Sequence, residues 1–417
     1  MIRKRRLQDA LGKLGPGLVT GAADDDPSGI ATYSQAGAQF GYSMLWTMVF
    51  TLPLMVAIQM VSARIGYVTR QGLAANIKTS FPRWVLLTVV GMLLVANTLN
   101  VAADIAAMAE ALRLLVGGSS HLYAVGFGVT CLLMQVFLPY RTYVRWLKWL
   151  TLALLSYVAV VFSLHLDWGM VMGKILHPGI HIQHDMLLMI VAVFGTTISP
   201  YLFFWQAAQE MEETAGQPAH TADEVHRKLR HIRLDTIIGM TFSNLIAFFI
   251  ILSTAATLHA AGVTDIQTSA QAAEALRPVA GEFTFVLFSM GIIGTGMLAV
   301  PVLAGSAGYA VAEAVGWQEG LNSKLMQKEG RGFYGVIAAA TIGGVVLCFT
   351  AMDPVKELFW AAVLNGVISV PIMVVMMLLA SRTSIMGAHT LHPRLRWLGW
   401  AATAAMALTV IAMLATL

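Results

Sequence analysis

Hydrophobic and polar positions alternate along this chain in long blocks. Apolar stretches of membrane-spanning length occur at about 14–40, 43–63, 84–112, 122–139, 147–165, 186–210, 235–260, 282–312, 333–350, 357–380 and 396–416. Eleven such stretches joined by short polar loops predict an all-α, polytopic membrane protein with about 11 transmembrane helices, all in one domain over 1–417. Two of the eleven are interrupted. In the first, Gly21-Ala-Ala-Asp-Asp-Asp-Pro-Ser-Gly29 sets three carboxylates beside a proline and a glycine. Pro27 has no amide hydrogen for the carbonyl of Ala23, and its ring drives Asp26 out of helical geometry. If the segment meets the bilayer near Gly15, Asp26 lies about 16 Å deep, close to the midplane of a core about 30 Å thick. In the sixth, Gly195-Thr-Thr-Ile-Ser-Pro200 repeats the interruption. Pro200 frees the carbonyl of Thr196, with the hydroxyls of Thr197 and Ser199 beside it.

Two helices broken at mid-depth and five spans apart predict an inverted 5+5 repeat: 14–165 as the first five-helix unit, 186–380 as the second, and 396–416 as an added C-terminal helix. Acids at a mid-membrane break suit the passage of a cation. Composition agrees, with 57% of the 417 residues hydrophobic and 12% charged. The pI near 9.1 does not point to nucleic acid, because the basic residues sit in short loops and no RNA-binding signature is present. Of the 26 Lys and Arg residues, 22 fall in loops on the N-terminal side of the membrane. Four (Arg113, Lys174, Arg277 and Lys356) fall on the other. The positive-inside rule therefore predicts a cytoplasmic N-terminus and an extracytoplasmic C-terminus. The basic start is expected to be retained, since the span that follows is full length, carries Asp and shows no cleavage site.

Other polar positions are less telling. Asn97, Asn100 and Asp104 share one helical face of the third span, either along a pathway or in bonds to neighbouring helices. Asn365 and Ser369 form a similar pair in the tenth, with Asn365 a candidate oxygen ligand or helix–helix contact. The connector from Glu212 to Arg233 reads as a solvated loop or short surface helix. His177, His181 and His184 precede the sixth span, where loosely spaced histidines are ordinarily just exposed. No nucleophile–base pair, mid-depth His/Cys cluster or phosphate loop points to an enzyme, and no cofactor is expected.

At the two breaks the chain resembles the Nramp family of divalent-metal transporters, over essentially its whole length. Transition-metal members of that family have a DPGN motif in the first helix and Met-Pro-His in the sixth. Here the motifs stand as Asp26-Pro27-Ser28-Gly29 and Ser199-Pro200-Tyr201. The resemblance implies the LeuT/APC-type fold of the sodium-coupled amino-acid symporters. It carries the metal-binding Asp onto Asp26, an Asn onto Gly29, a backbone-carbonyl ligand onto Thr196 and a Met ligand onto Ser199. The departures leave hard oxygen donors and extra volume, which suit Mg²⁺. The proton relay of those members also lacks its parts here: Tyr201 replaces His, Ala107 replaces an acid beside the retained Asp104, and the ninth span has no Arg beyond Arg331. The pattern is similar to the Nramp-related magnesium transporters.

The expectation is a multi-pass carrier of the bacterial inner membrane taking up Mg²⁺, and also Mn²⁺, by alternating access without proton coupling. The metal ligands are drawn from Asp26, Gly29, Thr196, Ser199 and Asn365. The partners are the metal ion and the lipid bilayer, and a monomer is compatible with both. Two other readings are a proton-coupled Mn²⁺/Fe²⁺ importer, and an amino-acid or organic-anion carrier on the same fold. Three Asp residues at the break count against the anion.

Overall fold

A computed structural model of the chain describes residues 16–138, 152–179, 183–214, 222–317, 330–349 and 353–416. All regular elements among them are helical. The first span is broken into α1 (Pro16–Asp24) and α2 (Pro27–Phe40). There follow α3 (Leu45–Thr69), the short α4 (Leu73–Ser80), α5 (Arg83–Val116) and α6 (Ser120–Phe137). The expected fifth span is described only from Leu152. It ends in α7 (Leu155–Ser163) and bends by 114° into α8 (Trp168–Leu176). The sixth span is broken into α9 (His184–Thr197) and α10 (Pro200–Thr214). Beyond it lie α11 (Ala222–Thr254), α12 (Thr284–Val315), α13 (Gly330–Leu347), α14 (Pro354–Ser381) and α15 (Pro393–Ala415).

By length and apolar character alone, the described residues hold nine candidate spans, or ten if the bent α7–α8 pair is one. One of the nine is the 43-residue stretch Pro27–Thr69. As one helix it would be about 65 Å long, twice the thickness of a hydrocarbon core. Gly41, at φ +57, ends α2 and starts a turn of 3-10 helix before α3. A side chain is strained in that left-handed backbone and glycine is not. Divided there, the stretch supplies two spans, and the eleven apolar blocks each have their helix.

The charged connector differs from expectation. From Ala222 it is helical and continuous with the seventh span, so α11 runs for 33 residues. Glu224 and Lys228 stand one turn apart on it, an order that supports a helix. Lys228 also reaches Glu213 at 2.7 Å.

The broken spans lie at the centre. Of the apolar window of His184–Thr214, 94% is buried, against 22% for α6 at the periphery. α5 packs along α12, α11 along α1 to α3, α9 against α14, and α10 against α3 and α12. Small residues permit the closest approaches: a Cβ on Gly21 would strike the Gly239 backbone, and one on Gly195 would strike Ala362 and Gly366.

Candidate metal site

Both breaks form where the prolines demand. α1 stops at Asp24 and α2 restarts at Pro27, while α9 stops at Thr197 and α10 restarts at Pro200. Asp26 is the N-cap of α2, in extended conformation at φ −73, ψ 170. Its Oδ1 accepts the Gly29 amide and the Ser28 hydroxyl, each at 2.7 Å. That cap satisfies an orphan amide and sets a carboxylate at the positive end of a helix dipole.

The carbonyl that Pro27 leaves bare finds its donor in the other break. The hydroxyl of Tyr201, in the first turn of α10, lies 3.1 Å from the Ala23 carbonyl and 3.2 Å from Asp26 Oδ2. One phenolic proton serves the two acceptors in turn, so Tyr201 ties the broken helices together. Tyr33 adds a second tie, its hydroxyl 3.2 Å from Thr197 Oγ1.

At the second break, the Ser199 hydroxyl donates toward the carbonyls of Thr196 at 2.8 Å and Gly195 at 3.0 Å. Ser369 donates to the Ile198 carbonyl at 2.8 Å. The Thr196 carbonyl freed by Pro200 is thus engaged by Ser199, while Thr196 Oγ1 is buried with no hydrogen-bond partner. That oxygen faces Gly29: a Cβ built there would lie 3.2 Å from Thr196 Oγ1 and 3.5 Å from Asp26 Oδ1. Asp26, Gly29 and Thr196 therefore meet where the two chain breaks cross, and Ser199 is tied to Thr196 through its carbonyl.

Asn365 is engaged elsewhere. Its amide and that of Asn100 exchange hydrogen bonds at 3.0 and 3.1 Å, and Asn100 also donates to the Ala96 carbonyl at 2.7 Å. This is the helix–helix contact between α5 and α14. Asn97 likewise binds the Leu303 carbonyl and Ser306 of α12. Asp104, on the same face of α5, differs from both. It is fully buried, with the Ser28 backbone amide and the charge of Asp26 as its polar neighbours. Asp24 and Asp25 turn away from the crossing toward Ser243 of α11, whose hydroxyl lies 2.6 and 2.9 Å from their carboxylates.

Among the described residues, no three His, Cys, Asp or Glu side chains gather as a metal site. The crossing offers instead one capped carboxylate with hydroxyl and carbonyl oxygens. His184 faces Thr416 at 3.3 Å, and His181 lies outside the described residues. The role of Tyr201 was missed in the sequence. Its signal was the bare Ala23 carbonyl, a buried acceptor that must find a donor somewhere.

Similarity to known proteins follows this geometry. The family described as Nramp, natural resistance-associated macrophage protein-like, matches residues 17–416. A divalent metal cation transporter MntH from Chromohalobacter salexigens is 29% identical over 281 residues, 65% of this chain and 62% of that relative. The chain thus spans less than two thirds of the length of that relative. The MntH of Yersinia pestis is 27% identical over 316 residues, 73% of each chain. In solved structures the fold is that of a manganese transporter from Eremococcus coleocola, with TM-score 0.75, 17% identity, and 95% of this chain and 85% of that one covered. It is also that of a nucleobase-cation-symport-1 family transporter in a closed conformation, with TM-score 0.63, 13% identity, and 97% and 90% covered.

Proposed function

Because the chain belongs to the Nramp family, we propose that it is a divalent metal cation transporter of the bacterial inner membrane, carrying Mg²⁺ and also Mn²⁺ by alternating access. The observation that carries this reading is the all-oxygen crossing of the two breaks. Asp26 supplies the one charged ligand there. Thr196 Oγ1 stands open opposite Gly29, and Ser199 presents a hydroxyl where transition-metal members of the family have a thioether. Soft ions such as Cd²⁺ gain little from such a donor set. Mg²⁺ releases its waters reluctantly and is ordinarily held by one or two carboxylates while keeping several of them. Gly29 brings its backbone close to this donor set, where a Cβ would lie 3.2 Å from both Thr196 Oγ1 and the Tyr33 ring. The five-span units 14–165 and 186–380 would rock about this crossing, each contributing one broken helix.

The ion needs no coupling partner for uptake. An inside-negative potential favours a dication by about 4.6 kcal/mol per 100 mV. One observation favours a second reading, proton-coupled transport of Mn²⁺ or Fe²⁺: Asp104 is a buried carboxylate close enough to Asp26 to sense its charge.

The test is Mg²⁺ uptake into proteoliposomes, reported by an internal Mg²⁺-sensitive dye under an imposed inside-negative potential, with Cd²⁺ as competitor. Wild-type protein is expected to admit Mg²⁺, Asp26→Ala to abolish uptake, and Cd²⁺ to compete poorly. Retained uptake in Asp26→Ala would refute the site. Strong Cd²⁺ competition would return the weight to a transition-metal carrier.

A further inference from the structure

Beside the Phe40 end of α2, on the face that the basic residues assign to the outside, lies a cavity of about 180 Å³. Its polar wall is Gln35, Gln39, Asp185, Asp265 and Lys356. A much narrower space of about 20 Å³, lined by Ile30, Ala107, Phe288 and Ile292, shares Ala31, Ile266 and Val355 with it. The two spaces adjoin along α2, and Ile30 of the narrower one follows Gly29 directly. The inner one is apolar and has room for about one water. Of these two spaces only the outer one has room for a hydrated ion. Gln35 is nine residues beyond Asp26, about 14 Å along the helix.

Three charges set the field in that compartment. Asp265 is held on its wall from both sides: Gln35 Oε1 accepts the Ile266 amide at 2.8 Å, and Gln35 Nε2 donates to the Thr264 carbonyl at 3.2 Å. Gln267 Nε2 also donates to Asp265 Oδ2 at 3.1 Å. Asp185 lies in the first turn of α9. Lys356 lies in the first turn of α14, exposed, and makes no ion pair among the described residues. An ammonium group in the mouth of a cation path opposes the ion that must pass it, and it opposes a dication twice as strongly as a monocation.

We propose that this vestibule is the electrostatic funnel through which dications reach Asp26, and that Lys356 holds down their capture rate against the pull of Asp185 and Asp265. The proposal rests on the transport reading above. Oriented charge at the mouth of a cleft acts on the rate of encounter and fades as salt screens it.

The experiment measures initial Mg²⁺ uptake into proteoliposomes at subsaturating and saturating Mg²⁺, at low and high ionic strength. At low ionic strength Lys356→Gln is expected to raise the subsaturating rate about threefold, Lys356→Glu to raise it further, and Asp265→Asn to lower it. Saturating rates should hold, and the differences should shrink in high salt. Both side chains are exposed, so folding is not at stake. Subsaturating rates that ignore both Lys356 variants, or effects confined to the saturating rate, would overturn the funnel while leaving transport intact. A wild-type protein that moves neither Mg²⁺ nor Mn²⁺ would overturn the transport reading, and the funnel with it.

Discussion

Tyr201 closes the gap that Pro27 opens. A proline at the start of α2 removes the donor that Ala23 would have met in an unbroken helix, and at this depth no lipid group can replace it. The phenol from α10 fills the vacancy and reaches Asp26 Oδ2 as well. Phenylalanine has the same shape without the donor, so Tyr201→Phe isolates the hydrogen bond from the packing. Leaving a buried acceptor unpaired costs about 1–3 kcal/mol. The Tyr201→Phe protein is therefore expected to fold, bind its lipid annulus and melt at a lower temperature in detergent. A midpoint equal to wild type would mean that Tyr201 is not what satisfies the break.

At the scale of elements, the tight seam is the one between α9 and α14. Gly195 has no room for a Cβ, because the Ala362 carbonyl and the Gly366 backbone occupy its place. Ser369 of α14 then donates to the Ile198 carbonyl at the break itself. Gly195→Ala is expected to push α14 off α9, at the cost of about 1–3 kcal/mol typical of overpacking. Lost thermal stability together with impaired Mg²⁺ uptake would show that the seam positions the break; normal behaviour in both would remove it from the argument. The breaks themselves were legible in the sequence, because the loss of a proline's amide hydrogen is local chemistry. What closes each break was not legible, since Tyr201 and Ala23 are 178 residues apart and Ser369 and Ile198 are 171 apart. The same limit explains Asn365. Its face on the tenth span was visible, but its reciprocal bond to Asn100 depends on how α5 and α14 cross. Asp26, Gly29 and Thr196 meet because they lie beside the two prolines. For Thr196, however, the atom left open is the hydroxyl, with the carbonyl taken by Ser199.

Across the whole molecule the two ends of the path differ. Toward the N-terminal side the broken spans are bolted to their neighbours. Gly17 donates its amide to Asp235 of α11, Gln59 of α3 donates to Gln206 of α10 at 2.5 Å, and Gln206 donates on to Thr236 at 3.0 Å. Toward the other side lies the charged cavity above Asp26. For the carrier proposed above, that cavity is where the ion would enter. What then drives the ion inward decides between the two readings of the site. The position beside Asp26 where a titrating imidazole stands in transition-metal members is here the phenol of Tyr201, which does not change charge near neutral pH. An uncoupled dication would distribute with the potential alone, reaching an accumulation of about 2,000-fold per 100 mV at equilibrium. The expected result in proteoliposomes is Mg²⁺ accumulation that tracks an imposed potential, vanishes when that potential is collapsed, and leaves a lumenal pH dye unmoved. If an inward pH gradient drives accumulation at zero potential, protons move with the metal. Asp104 would then be the carboxylate to replace, with Asp104→Asn expected to uncouple the two fluxes.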